Sequence, residues 1–183
     1  MQQTNKKQIA PVEAAAAMMQ FTMKSIENNW ATIQPFMSAF LTDPQLSQAK
    51  EDEIVREIYI AALALEIFCI PHAFDEQTSI LVDAAMYEVM ASQTLAAHHL
   101  SEPISAFYLP AFAKMNADTP ADLALMLVEE AARILYGRLD LPLKPAEAEK
   151  SMLWVKLLPF LSQHVGKWPV LQAKFAIQAE PVE

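Results

Sequence analysis

Residues 54–70 read IVREIYIAALALEIFCI, and the second half of this stretch is apolar on nearly every face of a helix. A helix that is apolar all round is buried all round. The stretch is too short to cross a bilayer, which takes about 20 apolar residues. It therefore predicts a buried helix at the centre of a helical bundle. Pro71 predicts the end of that helix, because proline lacks a backbone N–H.

The preceding stretch, residues 11–41, predicts one long helix with a regular apolar seam. Apolar residues recur in alternating steps of four and three, a repeat that keeps one stripe facing a neighbouring helix. The seam consists of Val12, Ala16, Met19, Met23, Ile26, Trp30, Ile33, Met37 and Phe40. Pro35 lies off the seam and predicts a kink near the end of the helix.

This helix is longer than a compact domain of the same size is wide, at about 46 Å for a rise of 1.5 Å per residue. We therefore expect the middle of the seam to contact a second copy of the chain or a partner helix. The interface residues predicted in this way are Met19, Met23, Ile26, Trp30, Ile33 and Met37.

Prolines and capping residues divide the rest of the chain into further helices. The predicted helices cover residues 44–70, 75–99, 103–115 with a break at Pro110, 120–137, 145–165 with a break at Pro159, and a short last helix from about residue 169 that includes Phe175 and Ile177. The clearest start is Thr119-Pro120, where a capping hydroxyl is followed by proline in the first helical position. Gly137 predicts a left-handed residue that ends the same helix.

Glycine is scarce, with 2 residues in a chain of 183. Average usage of about 7% would give roughly thirteen, and hairpins need glycine for their turns. The composition therefore predicts an all-α protein, a single-domain bundle of about six to seven helices. We expect one helical domain over residues 9–178, between a flexible N-terminal tail (1–8) and a C-terminal tail (179–183).

The net charge of −9 is concentrated in the middle of the chain, where residues 51–130 contain fourteen carboxylates and two cations, a net charge of −12. Nucleic acid binding requires a basic footprint, so the charge argues against it. The acidic middle either forms a solvated surface or attracts a basic partner. The single cysteine, Cys69, favours a reducing compartment. No export signal and no membrane-spanning run is evident, so we expect a cytoplasmic protein.

His98, His99 and Glu102 are the candidate metal ligands, because two imidazoles and a carboxylate lie within five residues. Neighbouring residues of a regular helix point about 100° apart, so His98 and His99 do not face the same ion. The alternative is a pair of polar residues at a helix C-terminus, where a protonated imidazole is favoured by the helix dipole. Metal or haem ligation therefore stays one of two hypotheses.

Glu66 is the most unusual single residue, because it interrupts the apolar run of the central helix. A carboxylate in such surroundings needs a cation or a hydrogen-bond donor. Tyr59 lies two turns earlier on the same face, and Arg133 and Arg138 are candidate partners from another helix. The sequence leaves three alternatives open: a structural ion pair, a contact at a subunit edge, or a ligand site.

Four residues are candidate ligand-binding residues: Glu66, Tyr59, His72 and His98. His72 lies in a short turn before Asp75, where it forms either an acid–base pair with the aspartate or a simple cap of the preceding helix.

These observations favour a non-catalytic binding or assembly protein, because a heptad-like helix and 54% hydrophobic residues accompany no catalytic motif. The chain would form a homodimer or clasp a protein partner. One alternative is a sensor or carrier that holds an apolar small molecule, such as a lipid or a tetrapyrrole, inside the bundle. A second alternative is a metal-dependent helical enzyme. The residues identify no particular cofactor.

Overall fold

The computed structural model describes residues 6–39, 48–92, 97–139 and 152–178, and it confirms the predicted all-α class. The helices are α1 (Pro11–Ala39), α2 (Gln48–Ala73), α3 (Glu76–Ser92), α4 (Ala97–Pro103), a π-helix (Ile104–Tyr108), α5 (Leu109–Phe112), α6 (Pro120–Arg138), α7 (Met152–Val165) and α8 (Lys167–Lys174). Two short strands, β1 (Lys7–Ile9) and β2 (Phe175–Ile177), pair with each other.

The central helix is α2, as the sequence predicts. Every side chain from residue 57 to residue 67 is buried. This is possible because α1, α3, α6, α7 and α8 all contact α2 and together cover this stretch on every side. Alanines at 61, 62 and 64 let the neighbouring helices approach closely. The charged residue in this run, Glu66, is therefore placed in the interior of the protein.

Three residues of the α1 seam, Met19, Ile26 and Ile33, are buried inside the chain, which corrects the prediction that they contact another molecule. Met19, Ile26 and Ile33 are 0%, 0% and 2% exposed. Helix α1 contacts α2, α3 and α7, so this part of the seam packs against helices of the same chain. Val12 and Ala16, at the start of the seam, are exposed. Met23 and Trp30 are partly buried against the same core. The side chain of Met37 lies outside the described side chains.

Three prolines that predict helix ends or breaks lie inside helices instead: Pro71 in α2, Pro103 in α4 and Pro159 in α7. Proline removes one backbone hydrogen bond, and packing on both sides can outweigh that loss. At the end of α2, Gln172 Nε2 donates to the carbonyl oxygen of Ala73 at 2.8 Å and satisfies one of the orphan carbonyls there.

The predicted start of a new helix at Pro103 is also wrong, because α4 continues to Pro103 and directly into the π-helix. The N–H of Leu109 donates to the carbonyl of Ile104, five residues earlier. Pro110 has no N–H for the carbonyl four residues before it, so the wider turn replaces a break. Gly137 likewise lies within α6, which ends at Arg138, and the next residue is right-handed.

Two short strands correct both ends of the sequence prediction. Lys7, which was expected in a loose tail, pairs in parallel with Phe175, which was expected in a helix. The next pairs are Gln8 with Ala176 and Ile9 with Ile177. Only three residues pair on each side, too few for the alternating pattern that identifies a strand in a sequence. The pairing holds the start of α1 beside the end of α8.

Candidate functional site

Glu66 lies at the centre of a buried polar cluster that we call the Glu66 cluster: Thr22, Glu66, His164 and Lys167. The Thr22 hydroxyl donates to Glu66 Oε1 at 2.6 Å. His164 Nδ1 lies 2.7 Å from the same oxygen, and Lys167 Nζ lies 3.3 Å from it. Four helices supply the four residues, since they lie on α1, α2, α7 and α8 respectively.

The predicted partners of Glu66, Arg133 and Arg138, are wrong. Arg138 donates to Glu57, and Arg133 forms its ion pair with Glu130. Both arginines lie on α6, whereas the cation that reaches Glu66 comes from the first turn of α8.

The junction of α7 and α8 places His164 and Lys167 side by side. Gly166 is the single residue between the two helices, and Lys167 Nζ lies 2.8 Å from His164 Nδ1. The indole nitrogen Nε1 of Trp168 donates to the backbone carbonyl of Glu66 at 2.8 Å, so a hydrogen bond joins α8 to α2 next to the cluster. The rings of Trp168 and Phe74 pack in a T-shaped arrangement.

Two neighbours compete for one nitrogen of His164. Nδ1 carries either one hydrogen, which it can donate to Glu66, or one lone pair, which can accept from Lys167. Burial lowers the pKa of His164, Lys167 lowers it further, and Glu66 opposes both, so the imidazole is held neutral. Burial also lowers the pKa of Lys167, against the attraction of Glu66.

Two polar atoms of the cluster have no hydrogen bond within the described residues: Glu66 Oε2 and His164 Nε2. Buried polar atoms in folded proteins usually have partners, and each exception needs an explanation. Replacing a buried ion pair by apolar residues is often neutral or stabilising. The Glu66 cluster therefore adds little net stability compared with apolar residues in the same place, which motivates a functional hypothesis for it.

An apolar cleft adjoins the cluster, and we call it the α1/α8 cleft. Its volume is about 400 Å³, and its lining consists of Ala17, Met18, Phe21, Gln163, Lys167, Val170, Leu171, Lys174 and Phe175. Phe21 and Val170 are each 59% exposed, which is unusual for large apolar side chains. Lys167 belongs to both the cleft and the cluster, and its Nζ lies 4.7 Å from the centre of the Phe21 ring.

The other predicted ligand residues do not join Glu66. Tyr59 is buried in the core, and His72 is exposed in a separate cleft of about 460 Å³ that it shares with Cys69. Burial raises the pKa of Cys69 to about 12, so that thiol stays protonated. The side chains of His98 and His99 lie outside the described side chains.

The third predicted metal ligand, Glu102, is exposed and lines a different cleft. Within the described ranges, no group of three or more histidine, cysteine, aspartate or glutamate side chains is arranged to hold a metal ion.

Sequence reasoning missed Thr22, His164 and Lys167. A signal existed for His164, because it follows the apolar positions 157, 160 and 161 of α7 at helical spacing and therefore shares their buried face. Thr22 likewise lies four residues before Ile26 and three after Met19. Polar residues in register with an apolar stripe are the clue that identifies a buried polar cluster.

No family model matches the chain, and no curated protein or solved structure is significantly similar to it. Among the described helices, none has both the length and the apolar character that crossing a membrane requires.

The depressed pKa of His164 predicts a loss of stability in mild acid. Above the ordinary histidine pKa of about 6.5, folded and unfolded chains both hold a neutral imidazole. Below it, the unfolded chain gains a proton that the folded chain does not bind, so the free energy of unfolding falls by at most about 1.4 kcal/mol per pH unit. We expect the urea concentration at the unfolding midpoint to decrease when the pH is lowered from about 7.5 to about 5.5. The decrease should be smaller in His164→Gln.

A matched control is His72→Gln, which removes an exposed histidine and should keep the wild-type pH dependence. An equal fall in wild type and His164→Gln would show that another group causes the acid sensitivity.

Proposed function

We propose that this chain is a binding protein whose ligand is a small amphipathic molecule with an anionic end, held in the α1/α8 cleft. The observation that supports this proposal is an apolar cleft in which the two charged lining residues, Lys167 and Lys174, are both cations. The proposal keeps the binding role expected from the sequence. It favours the carrier or sensor alternative over a partner helix.

The size and lining of the cleft suit such a ligand. Ligand pockets usually have volumes of about 300–1,000 Å³ and apolar linings with a few polar groups that set orientation. The volume of about 400 Å³ lies at the small end of that range. Phe21 and Val170 would contact the apolar body of the ligand, whose transfer out of water is favourable by about 25 cal/mol per Å².

The charge of the cleft argues for an anionic end. The chain has a net charge of −9, yet α8 carries two lysines and no carboxylate. Lys174 is exposed and can pair with an anion at little desolvation cost. Lys167 is nearly buried and paired with Glu66, which offsets its charge, so Lys174 would hold the anionic end of the ligand.

The test is calorimetric titration of the full chain with dodecanoate, below the concentration at which it forms micelles. We expect dodecanoate to bind more tightly than dodecanol, and dodecyltrimethylammonium to bind least. Lys174→Gln should lower the affinity for dodecanoate by about three- to ten-fold, and Phe21→Asp should lower it by at least about ten-fold. Both side chains are largely exposed, so neither change should unfold the protein.

Lys114→Gln is the control, because this exposed lysine does not line the cleft. The proposal fails if dodecanoate does not bind, or if the cationic amphiphile binds equally well. Binding of dodecanoate that neither cleft variant weakens would place the ligand elsewhere and also reject the proposed site.

A further inference from the structure

A second cleft, separate from the α1/α8 cleft, is built around two arginines. It has a volume of about 390 Å³ and is lined by Arg56, Glu57, Glu102, Pro103, Phe107 and Arg138. None of these residues lines the α1/α8 cleft. We call it the arginine cleft.

Glu57 is the buried charged residue of this cleft and is 2% exposed. Its carboxylate accepts two hydrogen bonds from Arg138, from Nε at 2.6 Å and from a terminal guanidinium nitrogen at 3.1 Å. Arg56 donates to the same carboxylate at 3.3 Å. One buried carboxylate thus holds two guanidinium groups side by side, which removes much of the entropy that a ligand would otherwise have to restrict.

The geometry of a guanidinium leaves donors for a ligand. Each group carries five N–H donors, of which Glu57 takes two from Arg138 and one from Arg56. Both arginines line the cleft, so their outer edges are available to an oxyanion there. Carboxylate and phosphate oxygens match the planar fork of a guanidinium.

Phe107 adds an aromatic surface to the same cleft. Its ring is 51% exposed, and the central carbon of the Arg138 guanidinium lies 5.0 Å from the ring centre. The π-helix carries Phe107, and such wide turns occur frequently at functional sites. An exposed ring beside two guanidinium groups suits a ligand that is both flat and anionic.

We propose that the arginine cleft binds a small aromatic oxyanion, with its anionic group between Arg56 and Arg138 and its ring on Phe107. Glu102 also lines the cleft, so its carboxylate disfavours a ligand with additional negative charge. The site is independent of the proposed amphiphile site, since the two share no residue.

The experiment is a titration of the full chain with phenyl phosphate, followed by amide chemical shifts, with benzoate, inorganic phosphate and benzyl alcohol as comparison ligands. Phenyl phosphate should bind more tightly than inorganic phosphate, because of the ring, and more tightly than benzyl alcohol, because of the charge. Benzoate distinguishes a carboxylate site from a phosphate site. Added salt should weaken the binding of each of these anions, because it screens their attraction to the arginines.

Two variants locate the site. The Arg56 side chain is partly exposed, so Arg56→Gln should not unfold the protein. This variant should lower the affinity for phenyl phosphate by about ten-fold or more. Phe107→Ser should reduce phenyl phosphate to the affinity of inorganic phosphate. Arg133→Gln is the matched control, because it removes a helical arginine of similar exposure that does not line the cleft.

Absence of phenyl phosphate binding, or binding that Arg56→Gln leaves unchanged, overturns the proposal. Lys174→Gln should not affect phenyl phosphate, and Arg56→Gln should not affect dodecanoate. The two sites therefore succeed or fail separately.

Discussion

The free energy of unfolding is expected to fall by about 3–5 kcal/mol in the Glu66→Leu variant, because the change leaves a buried cation without its partner. Lys167 would lose the carboxylate 3.3 Å from its Nζ. The Thr22 hydroxyl would lose its nearer acceptor at 2.6 Å and keep the Met18 carbonyl at 3.0 Å. The measurement is urea unfolding followed by circular dichroism. Glu53→Leu is the control, because this partly exposed glutamate pairs with Lys50 at the surface and its loss should cost less than about 1 kcal/mol.

The combined variant Glu66→Leu, His164→Leu, Lys167→Met is expected to recover most of this loss, to within about 1 kcal/mol of wild type. Apolar side chains of similar volume need no partner and remove the competition for His164 Nδ1. If Glu66→Leu alone is as stable as wild type, Glu66 is not the buried partner of these groups. If the combined variant is as unstable as the single one, packing rather than charge determines the cost.

The second large effect is expected at Trp168, where Trp168→Ala should lower the free energy of unfolding by about 3–5 kcal/mol. The indole is fully buried and donates to the carbonyl of Glu66. Its ring centre lies 5.3 Å from that of Phe74. Truncation would therefore leave a cavity and a lost hydrogen bond where α8 meets α2.

Val170→Ala is the control on the same helix, because an exposed valine should contribute less than about 0.5 kcal/mol. Trp168→Ala should also abolish dodecanoate binding, since α8 forms one wall of the α1/α8 cleft. A Trp168→Ala protein with wild-type stability would contradict the packing of α8 described above.

Much of the fold could be predicted from the sequence because helix formation is governed by nearby residues. The cap at Thr119 illustrates this, since its hydroxyl accepts from the N–H of Asp122 at 3.1 Å, three residues away. Asp75 likewise caps α3 by accepting from the N–H of Thr78 at 3.0 Å, and this bond lowers the pKa of Asp75. The proline predictions failed where tertiary contacts support a helix across the proline, as at Pro71.

Of the Glu66 cluster, the sequence analysis identified Glu66 alone, although the register of Thr22 and His164 with apolar residues also indicates that they are buried. Glu66 is conspicuous because it is charged within an apolar run, but nothing within a few turns of it provides a partner. The arginine cleft was even harder to predict from the sequence, because Glu57 and Arg138 are 81 residues apart in the chain. A single sequence shows that a buried charge needs a partner and does not show which one it has.

The sequence by itself determined the helical class, the burial of α2 and the anomaly of Glu66, because helical periodicity and residue propensity act over about four residues. Tertiary structure alone decided that Met19, Ile26 and Ile33 of the α1 seam are buried in their own chain and that β1 pairs with β2. It also decided that Thr22 and His164, 44 and 98 residues from Glu66, meet its carboxylate. The physical reason is that these choices depend on how helices pack against one another, and several packings satisfy the same pattern of apolar residues.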